Sequence, residues 1–451
     1  MDIPSLMPGV LDDLKRLVGH ASVAFPGFPP EPVHAMKDDV LQLFRAAGVT
    51  DARPLDIGGT YPAVYGEIPA PPGKPTIMLY AHYDVQPAPD SQGWTTDPWT
   101  ATVGEDGRIY GRGAADDKSG IVTHLGTLRA FEGRPPVGVK LLIEGEEETA
   151  SPLNSFILAN PELFKADAYL ICDGGNVRCG EPVVITNLRG GANCVIKLST
   201  LEAPVHSGVF GGAAPVALLA MIRLLSTLHT PEGDVAIEGL HGYDWPGGHF
   251  PEDDFRAAAG VLDGVDLTGT GSIASRIWSR PSLSVLGIDA PATATSVAAL
   301  VPSVTARLSL RVPPGGDPQH HLDLLLAHLH KHTPGNARLE IIRSASSPPF
   351  SIDPGHAAIA VARAALTEAF DRPVTEIGCG GSIPLCDALQ AIAPEAGLIL
   401  WGAEDTAKAR IHSSQESVDP DEILRLITTQ VRFVEQLSSG GEPAVSRRIG
   451  A

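Results

Sequence analysis

Basic side chains are scarce in this chain of 451 residues, in which Lys and Arg total 33 against 53 Asp and Glu. The resulting formal net charge of -20 repels phosphate backbones and anionic membrane surfaces. The sequence also lacks the roughly 18 uninterrupted apolar residues that a membrane helix needs. Its first residues, MDIPSLMPGVLDDLKRL, lack the basic start and the apolar run of a secretion signal. We therefore expect no nucleic acid and no membrane among its partners.

Cysteine is also sparse. The five cysteines are odd in number and lack the CxxC spacing of zinc and redox motifs; they are Cys172, Cys179, Cys194, Cys379 and Cys386. This usage favours a reducing compartment, and we expect a cytoplasmic protein.

Two common functional motifs are missing. The sequence has no GxSxG segment, which argues against the nucleophile elbow of a serine hydrolase. PPGKP does not fit the GxxxxGK[ST] frame of a P-loop, and GRGAAD lacks the last glycine of a dinucleotide fingerprint.

The chain is longer than one hydrophobic core usually organises, and we expect two domains. Strand and helix patterns alternate up to residue 188, which predicts an α/β domain with a mostly parallel sheet covered by helices. The pattern changes at Arg189, and residues 189–348 are predicted to form an inserted α+β domain. The first domain resumes over residues 349–451.

Acidic and imidazole side chains appear where four apolar segments stop. The segments, each typical of a buried strand, are TIMLYAHYDV, GRIYGRGAADDKSG, VKLLIEGEEETAS and AYLICDGG. The carboxyl ends of parallel strands collect the chemistry of such folds. Oxygen-rich ligands with one or two imidazoles suit zinc, manganese or cobalt. The sequence therefore predicts a hydrolytic site with two metal ions.

His82 follows one of these apolar runs, and Asp84 points the same way and can hold the second nitrogen of that imidazole. An HxD pair alone is common by chance. Asp116 and Asp117 follow a glycine-rich stretch, and one of them could bridge two cations or simply cap a helix.

The run from Glu146 to Glu148 directly follows a predicted buried strand, where repulsion is unfavourable unless cations or protons relieve it. One of these carboxylates would coordinate a metal, and its neighbour would take the proton of the attacking water. Asp173 offers a further ligand at the same sheet edge. His412 lies in a polar loop from which it can close the site.

Taken together, seven segments resemble the motif series of the co-catalytic zinc metallopeptidases. This family includes carnosinase-like dipeptidases, carboxypeptidase G, succinyl-diaminopimelate desuccinylase and acetylornithine deacetylase. The segments, in register from residue 80 to 417, are AHYDVQPA, GRIYGRGAADDKSG, EGEEETAS, ICDGG, VHSGVFGG, GGSIP and ARIHSS. The resemblance implies a catalytic α/β domain with residues 189–348 as an inserted lid and dimerisation domain, and hence a homodimer.

The resemblance also implies roles for the motif residues. His82 and Asp173 would hold one divalent ion, Glu148 and His412 the other, and Asp116 would bridge them. Zinc is the expected metal, with manganese or cobalt as alternatives. Glu147 would be the general acid/base and Asp84 would orient His82, and the peptide bond between the paired aspartates is commonly cis in the family.

Three further positions match motifs that contact the substrate. His206 would stabilise the oxyanion, reaching the site of a partner subunit, and Arg311 would clamp a substrate carboxylate with its bidentate fork. Gly381 and Ser382, in GGSIP, would line the substrate site. Ala299 stands where dipeptidase relatives often have a polar side chain, which leaves the substrate side chains open.

The implied activity is hydrolysis of the amide bond of dipeptides or small peptides with a free carboxylate. An N-acyl-amino-acid amidohydrolase with the same constellation is the alternative. A catalytically silent binding protein is disfavoured, because every expected ligand and the base are present.

Overall fold

The computed structural model describes residues 2–149, 151–381, 383 and 385–440. Its helices are α1 (Met7–Val18), α2 (Glu31–Ala46), α3 (Lys118–Ala130), α4 (Leu153–Ala159), α5 (Pro161–Phe164), α6 (Ser207–Phe210), α7 (Ala217–Leu225), α8 (Glu252–Ala259), α9 (Pro318–His332), α10 (Ala357–Phe370), α11 (Leu385–Ile392) and α12 (Pro420–Ser438). No helix among the described residues is both long and apolar enough to cross a membrane.

The strands are mostly short. They are β1 (Arg53–Leu55), β2 (Ala63–Ile68), β3 (Thr76–His82), β4 (Thr102–Val103), β5 (Ile109–Tyr110), β6 (Gly138–Glu144), β7 (Ala168–Ile171), β8 (Gly175–Asn176), β9 (Val183–Leu188), β10 (Gly190–Ser199), β11 (Val205–His206), β12 (Ser282–Asp289), β13 (Ala299–Leu300), β14 (Ser303–Val312), β15 (Arg338–Ser347), β16 (Phe350–Ser351), β17 (Thr375–Cys379), β18 (Gly397–Leu400), β19 (Glu404–Asp405) and β20 (Ser417–Val418).

A six-stranded sheet in the order β1-β2-β6-β3-β7-β18 forms the centre of the fold. The pairs β6-β3, β3-β7 and β7-β18 are parallel, while β1 and β2 extend the sheet in antiparallel fashion. All residues of β7 and β18 are buried, because helices cover the sheet, with α3 packed against β3 and α10 against β18. The predicted α/β class with a mostly parallel sheet is confirmed.

The second of the four apolar segments differs from its prediction. GRIYGRG contributes only the two-residue strand β5, which belongs to a small antiparallel sheet with β4 and β20 rather than to the central sheet. Gly113, with a φ of 78°, turns the chain soon after this strand. Asp116 therefore lies in the loop between β5 and α3 instead of at the end of a buried strand.

A second, antiparallel sheet in the order β12-β14-β10-β15 packs against α7 and α9. This sheet has a separate hydrophobic core, whose buried residues all lie in the range from Ala192 to Leu329. Three residues of the same range are instead buried in the hydrophobic core around the central sheet: Phe250, Ile273 and Trp278. The segment around them thus packs against the central domain.

Candidate metal centre

Asp116 stands between two sets of potential metal donors. His82, Asp116 and Asp173 form one set, and Asp116, Glu148 and His412 form the other; in each set the donor atoms lie within 4.8 Å of one another. Asp116 Oδ1 lies 2.9 Å from His82 Nε2, and Asp116 Oδ2 lies 2.9 Å from His412 Nε2. One carboxylate thus directs one oxygen to each set.

Parallel strand pairing explains why these side chains meet. His82 ends β3, and it pairs with the last residue of β6, shortly before Glu148. On the other side of β3 runs β7, which ends two residues before Asp173. His412 comes from the loop after β19, with a φ of 60°, and its Nε2 lies 3.3 Å from Glu148 Oε1.

The centre is crowded with negative charge. Burial and the carboxylate of Asp116 raise the pKa of Asp173 to about 7, although the imidazole of His82 opposes this shift. Burial lowers the pKa of His412, but its bonds with Asp116 and Glu148 outweigh that effect and raise the pKa to about 11. Oxygen and imidazole donors with surplus negative charge fit divalent cations such as zinc, manganese or cobalt.

Glu147 belongs to neither donor set, although it stands next to Glu148. Burial and the nearby carboxylate of Asp173 raise the pKa of Glu147 well above its ordinary value. A partly buried carboxyl group with a raised pKa, held beside two sets of metal donors, is suited to accept and return a proton.

Asp84 holds the loop that carries the two glutamates. Its Oδ1 accepts a hydrogen bond from the backbone N–H of Glu147 at 3.0 Å, and its Oδ2 accepts one from Glu148 at 3.1 Å. The ring nitrogen Nδ1 of His82 lies 3.0 Å from the carbonyl oxygen of Asp84 but 3.5 Å from its carboxylate. The nearer Asp84 partner of Nδ1 is therefore the backbone carbonyl, whereas the sequence predicts the side chain.

Asp117 has a similar task on the neighbouring loop. The peptide bond between Asp116 and Asp117 is cis. Asp117 Oδ2 accepts a hydrogen bond from the backbone N–H of His82 at 3.1 Å, and its Oδ1 accepts one from Gly120 at the start of α3. Asp117 is thus both a helix cap and a clamp on the backbone of His82.

Sequence reasoning missed Glu416, which is fully buried at 0 % exposure. Its Oε1 accepts hydrogen bonds from the backbone N–H groups of Ala115 and Asp116, each at 3.1 Å. Its Oε2 accepts one from Nη1 of buried Arg112 at 2.6 Å. In the sequence, Glu416 could be noticed only as an acidic residue four positions after His412. Nothing nearby in the sequence indicates that it contacts Arg112 and the backbone of Asp116.

Other predicted residues lie outside the two donor sets. His206 is exposed on the ribbon of β11 and β13, where it pairs with Ala299. Arg311 lies on β14 and is half-buried. Gly381 follows β17, while Ser382 lies outside the described residues.

The model of peptidase family M20/M25/M40 matches residues 78–436, which include every donor of both sets. The chain belongs to this family. Membership in the M20 family confirms the resemblance seen in the motifs and makes the chain a metallopeptidase, an enzyme that uses metal ions.

Several relatives of this M20 peptidase share most of its length. Cysteinylglycine-S-conjugate dipeptidase of Corynebacterium striatum is 40% identical over 368 residues, covering 80% of each chain. Cys-Gly metallodipeptidase dug1 of Schizosaccharomyces pombe is 28% identical over 84% of this chain and 83% of the relative. The solved structure of the di-peptidase Dug1p of Saccharomyces cerevisiae shares the fold, with a TM-score of 0.83 and 23% identity over 98% of both chains.

Proposed function

We propose that this M20 peptidase is a metal-dependent dipeptidase that cleaves the amide bond of dipeptides or small peptides with a free carboxylate. The observation that carries the proposal is the sharing of Asp116 between two donor sets, with the partly buried carboxyl group of Glu147 beside them and in neither. The names of the relatives in Corynebacterium striatum and Schizosaccharomyces pombe support dipeptides as the substrate class.

We assign one divalent ion to each donor set. His82 and Asp173 would hold the first ion, and Glu148 and His412 the second, with Asp116 serving both. Zinc is our first choice, and manganese and cobalt fit the same donors. Such ions, when bound, lower the pKa of water toward neutrality and polarise an amide carbonyl.

Glu147 would perform the proton transfers. Its carboxylate accepts the proton of the attacking water and then returns it to the nitrogen of the leaving amine. Glu147 suits this role because it stands next to Glu148 and belongs to neither donor set.

The substrate would be held by residues outside the donor sets. The guanidinium of Arg311 would bind the free carboxylate of the substrate, and Gly381 would line the substrate site. His206 would donate to the oxyanion of the tetrahedral species, reaching the site from the partner subunit.

We also propose a homodimer in which residues 189–348 form the lid and the dimer contact. The edge strand β12 supports this proposal, because Val285, Leu286 and Ile288 are all exposed on it. An exposed apolar edge strand offers unpaired backbone groups and apolar area to a second copy.

We place the protein in the cytoplasm, on the ground that its five cysteines are all free. Titration with a thiol reagent in denaturant without reductant should detect five thiols per chain. A lower number in freshly purified protein would oppose this placement.

A substrate panel tests the proposed activity. Metal-reconstituted protein should hydrolyse Cys-Gly, an S-substituted Cys-Gly or β-Ala-His, and should lose this activity when a chelator removes the metal. The same dipeptides with an amidated carboxyl terminus should be poor substrates, because they lack the group that Arg311 would bind. Turnover confined to N-acetyl or N-succinyl amino acids would replace the proposal with an N-acyl-amino-acid amidohydrolase.

A further inference from the structure

Three buried carboxylates that belong to neither donor set connect the ligand loops in series. Asp84 binds the backbone of Glu148, and Asp117 binds the backbone of His82. Glu416 binds the backbone of Asp116. Each of the three acidic residues lies within four positions of a donor on its own loop, so each loop clamps the next one.

Glu416 is the link between the loop of His412 and the loop of Asp116. The β5-β20 pairing joins the same two loops, and the carbonyl oxygen of Glu416 accepts a hydrogen bond from Gly111 N–H at 2.9 Å. Main-chain and side-chain contacts of one residue therefore fix where His412 stands relative to Asp116.

Arg112 fixes the Glu416 carboxylate in turn. Its side chain is 1 % exposed, and its Nη2 donates to Gln92 Oε1 at 3.2 Å. The guanidinium also lies 5.5 Å from the centre of the Trp94 ring. A buried guanidinium held from several sides leaves the carboxylate little freedom to rotate.

We propose that Glu416 is a positioning residue that sets the Asp116 carboxylate between the two donor sets, so that both ions depend on it. The inference rests on the proposed two-metal function. Asp116 is common to both sets, and Glu416 holds the peptide N–H of that residue. Displacement of Glu416 thus disturbs both donor sets. Loss of a donor that belongs to a single set disturbs only that set.

Glu416→Gln tests the clamp with almost no change in volume. The carboxylate accepts from the two backbone N–H groups with one oxygen and from Arg112 with the other. A glutamine amide has one accepting oxygen, so its NH₂ group must face either the backbone donors or the guanidinium. One end of the clamp is therefore lost.

Glu422→Gln is a matched control. Glu422 is also 0 % exposed, accepts hydrogen bonds from Gly180 N–H and pairs with Arg425 at 2.7 Å, but it belongs to neither donor set. Its substitution therefore reproduces the loss of stability expected when a buried glutamate that binds a backbone N–H and an arginine is changed to glutamine. It does so on α12, where Glu422 contacts Asn176, three positions after Asp173, instead of the backbone of a donor.

The measurements are calorimetric titration of apo-protein with Zn²⁺, the absorption spectrum of the Co²⁺-loaded protein, and thermal unfolding. Glu416→Gln should weaken binding of both ions by about 10- to 100-fold and alter the cobalt spectrum. Glu422→Gln should lower the unfolding temperature while leaving both binding constants and the spectrum as in wild type. Arg112→Lys should shift the binding constants in the same direction as Glu416→Gln, and it provides the test if Glu416→Gln does not fold.

Binding constants in Glu416→Gln that match those of wild type would overturn the inference, and so would a loss confined to one ion. If Glu416→Gln fails to fold, wild-type binding constants in Arg112→Lys would overturn it. Wild-type protein that takes up no metal would instead overturn the proposed function and, with it, the inference.

Discussion

Asp116 is the residue on which both donor sets depend. Its two oxygens each lie 2.9 Å from a different imidazole, that of His82 or of His412. A monodentate or missing side chain at this position cannot serve both sets. His412, in contrast, belongs to one set only.

We predict that Asp116→Ala loses both metal ions and that His412→Ala loses one. The measurement is the metal to protein ratio by elemental analysis after dialysis against metal-free buffer. Asp323→Ala, on the exposed side of α9, is the control and should keep the wild-type ratio. Tight retention of one ion by Asp116→Ala would contradict the shared carboxylate. So would a wild-type ratio that never exceeds one in excess zinc, manganese or cobalt.

Glu147→Gln should remove turnover while leaving the metal content nearly intact, because Glu147 is not a donor. Loss of a positioned proton carrier costs about 10² to 10⁴ in rate. Glu146→Gln is the matched neighbour, since its carboxylate accepts from Thr60 N–H outside the donor sets, and it should stay active. Metal loss in Glu147→Gln with metal retention in Glu148→Gln would reverse the two assignments.

Residues that end an apolar strand could be found from the sequence, whereas the hydrogen bonds by which Glu416 holds the backbone of Asp116 could not. His82 and Asp173 stand out because each follows an apolar run whose end the sequence displays. Glu416 and Asp116 are 300 positions apart, and their contact runs from a side chain to a backbone N–H. Any residue offers such an N–H, so composition and spacing carry no trace of it.

At the scale of elements, α3 shows how much polarity the central domain buries. All of its residues except Arg129 are buried, including Thr123, His124 and Thr127. Both threonines donate to the carbonyl four residues earlier, and His124 Nε2 lies 2.9 Å from the carbonyl oxygen of Tyr80. Burial lowers the pKa of His124 to about 4.

We predict that His124 makes the fold sensitive to acid. Its pKa is about 4 when folded and 6.5 for the ordinary side chain, so below pH 6.5 the unfolded chain binds the extra proton. Stability should fall as the pH drops from about 6.5 to about 4, by up to about 3 kcal/mol.

Chemical denaturation at a series of pH values measures this slope. His124→Gln should flatten it within that window even if the variant is less stable at pH 7. His320→Gln changes an exposed histidine of α9 and should leave the slope unchanged. An equal slope in wild type and His124→Gln would contradict the prediction.

Strands were predictable where apolar residues run without a break. The apolar runs within β3, β7 and β18 are buried on both faces, whereas the run in β6 is interrupted by the partly exposed Lys140. In GRIYGRG only Ile109 and Tyr110 are apolar, and these two residues form β5 in the small sheet with β4 and β20. The sheet to which a strand belongs depends on packing far along the chain.

On the scale of the whole molecule, two adjacent crossings join the second sheet to β9 and β16 of the first domain, which pair with each other in a small separate sheet. Arg189 alone separates β9 of the first domain from β10 of the second sheet, and Pro348 and Pro349 separate β15 from β16. Gly190 lies against the second crossing, since a Cβ there would stand 2.5 Å from Pro349 N. These two links, together with the segment around Phe250, Ile273 and Trp278 that is buried in the core of the first domain, tie the proposed unit of residues 189–348 to that domain.

His206 is exposed on that unit and belongs to neither donor set. We predict a homodimer in which His206 of each chain completes the site of the other. His206→Ala should then fold and bind metal but turn over poorly. Equal amounts of His206→Ala and Glu147→Gln, allowed to exchange subunits, should recover about a quarter of wild-type activity, because each mixed dimer has one site with both groups intact. If His206 acted within its own chain, mixed dimers would add nothing to the activity of the two parents, and an active monomer would exclude the dimer itself.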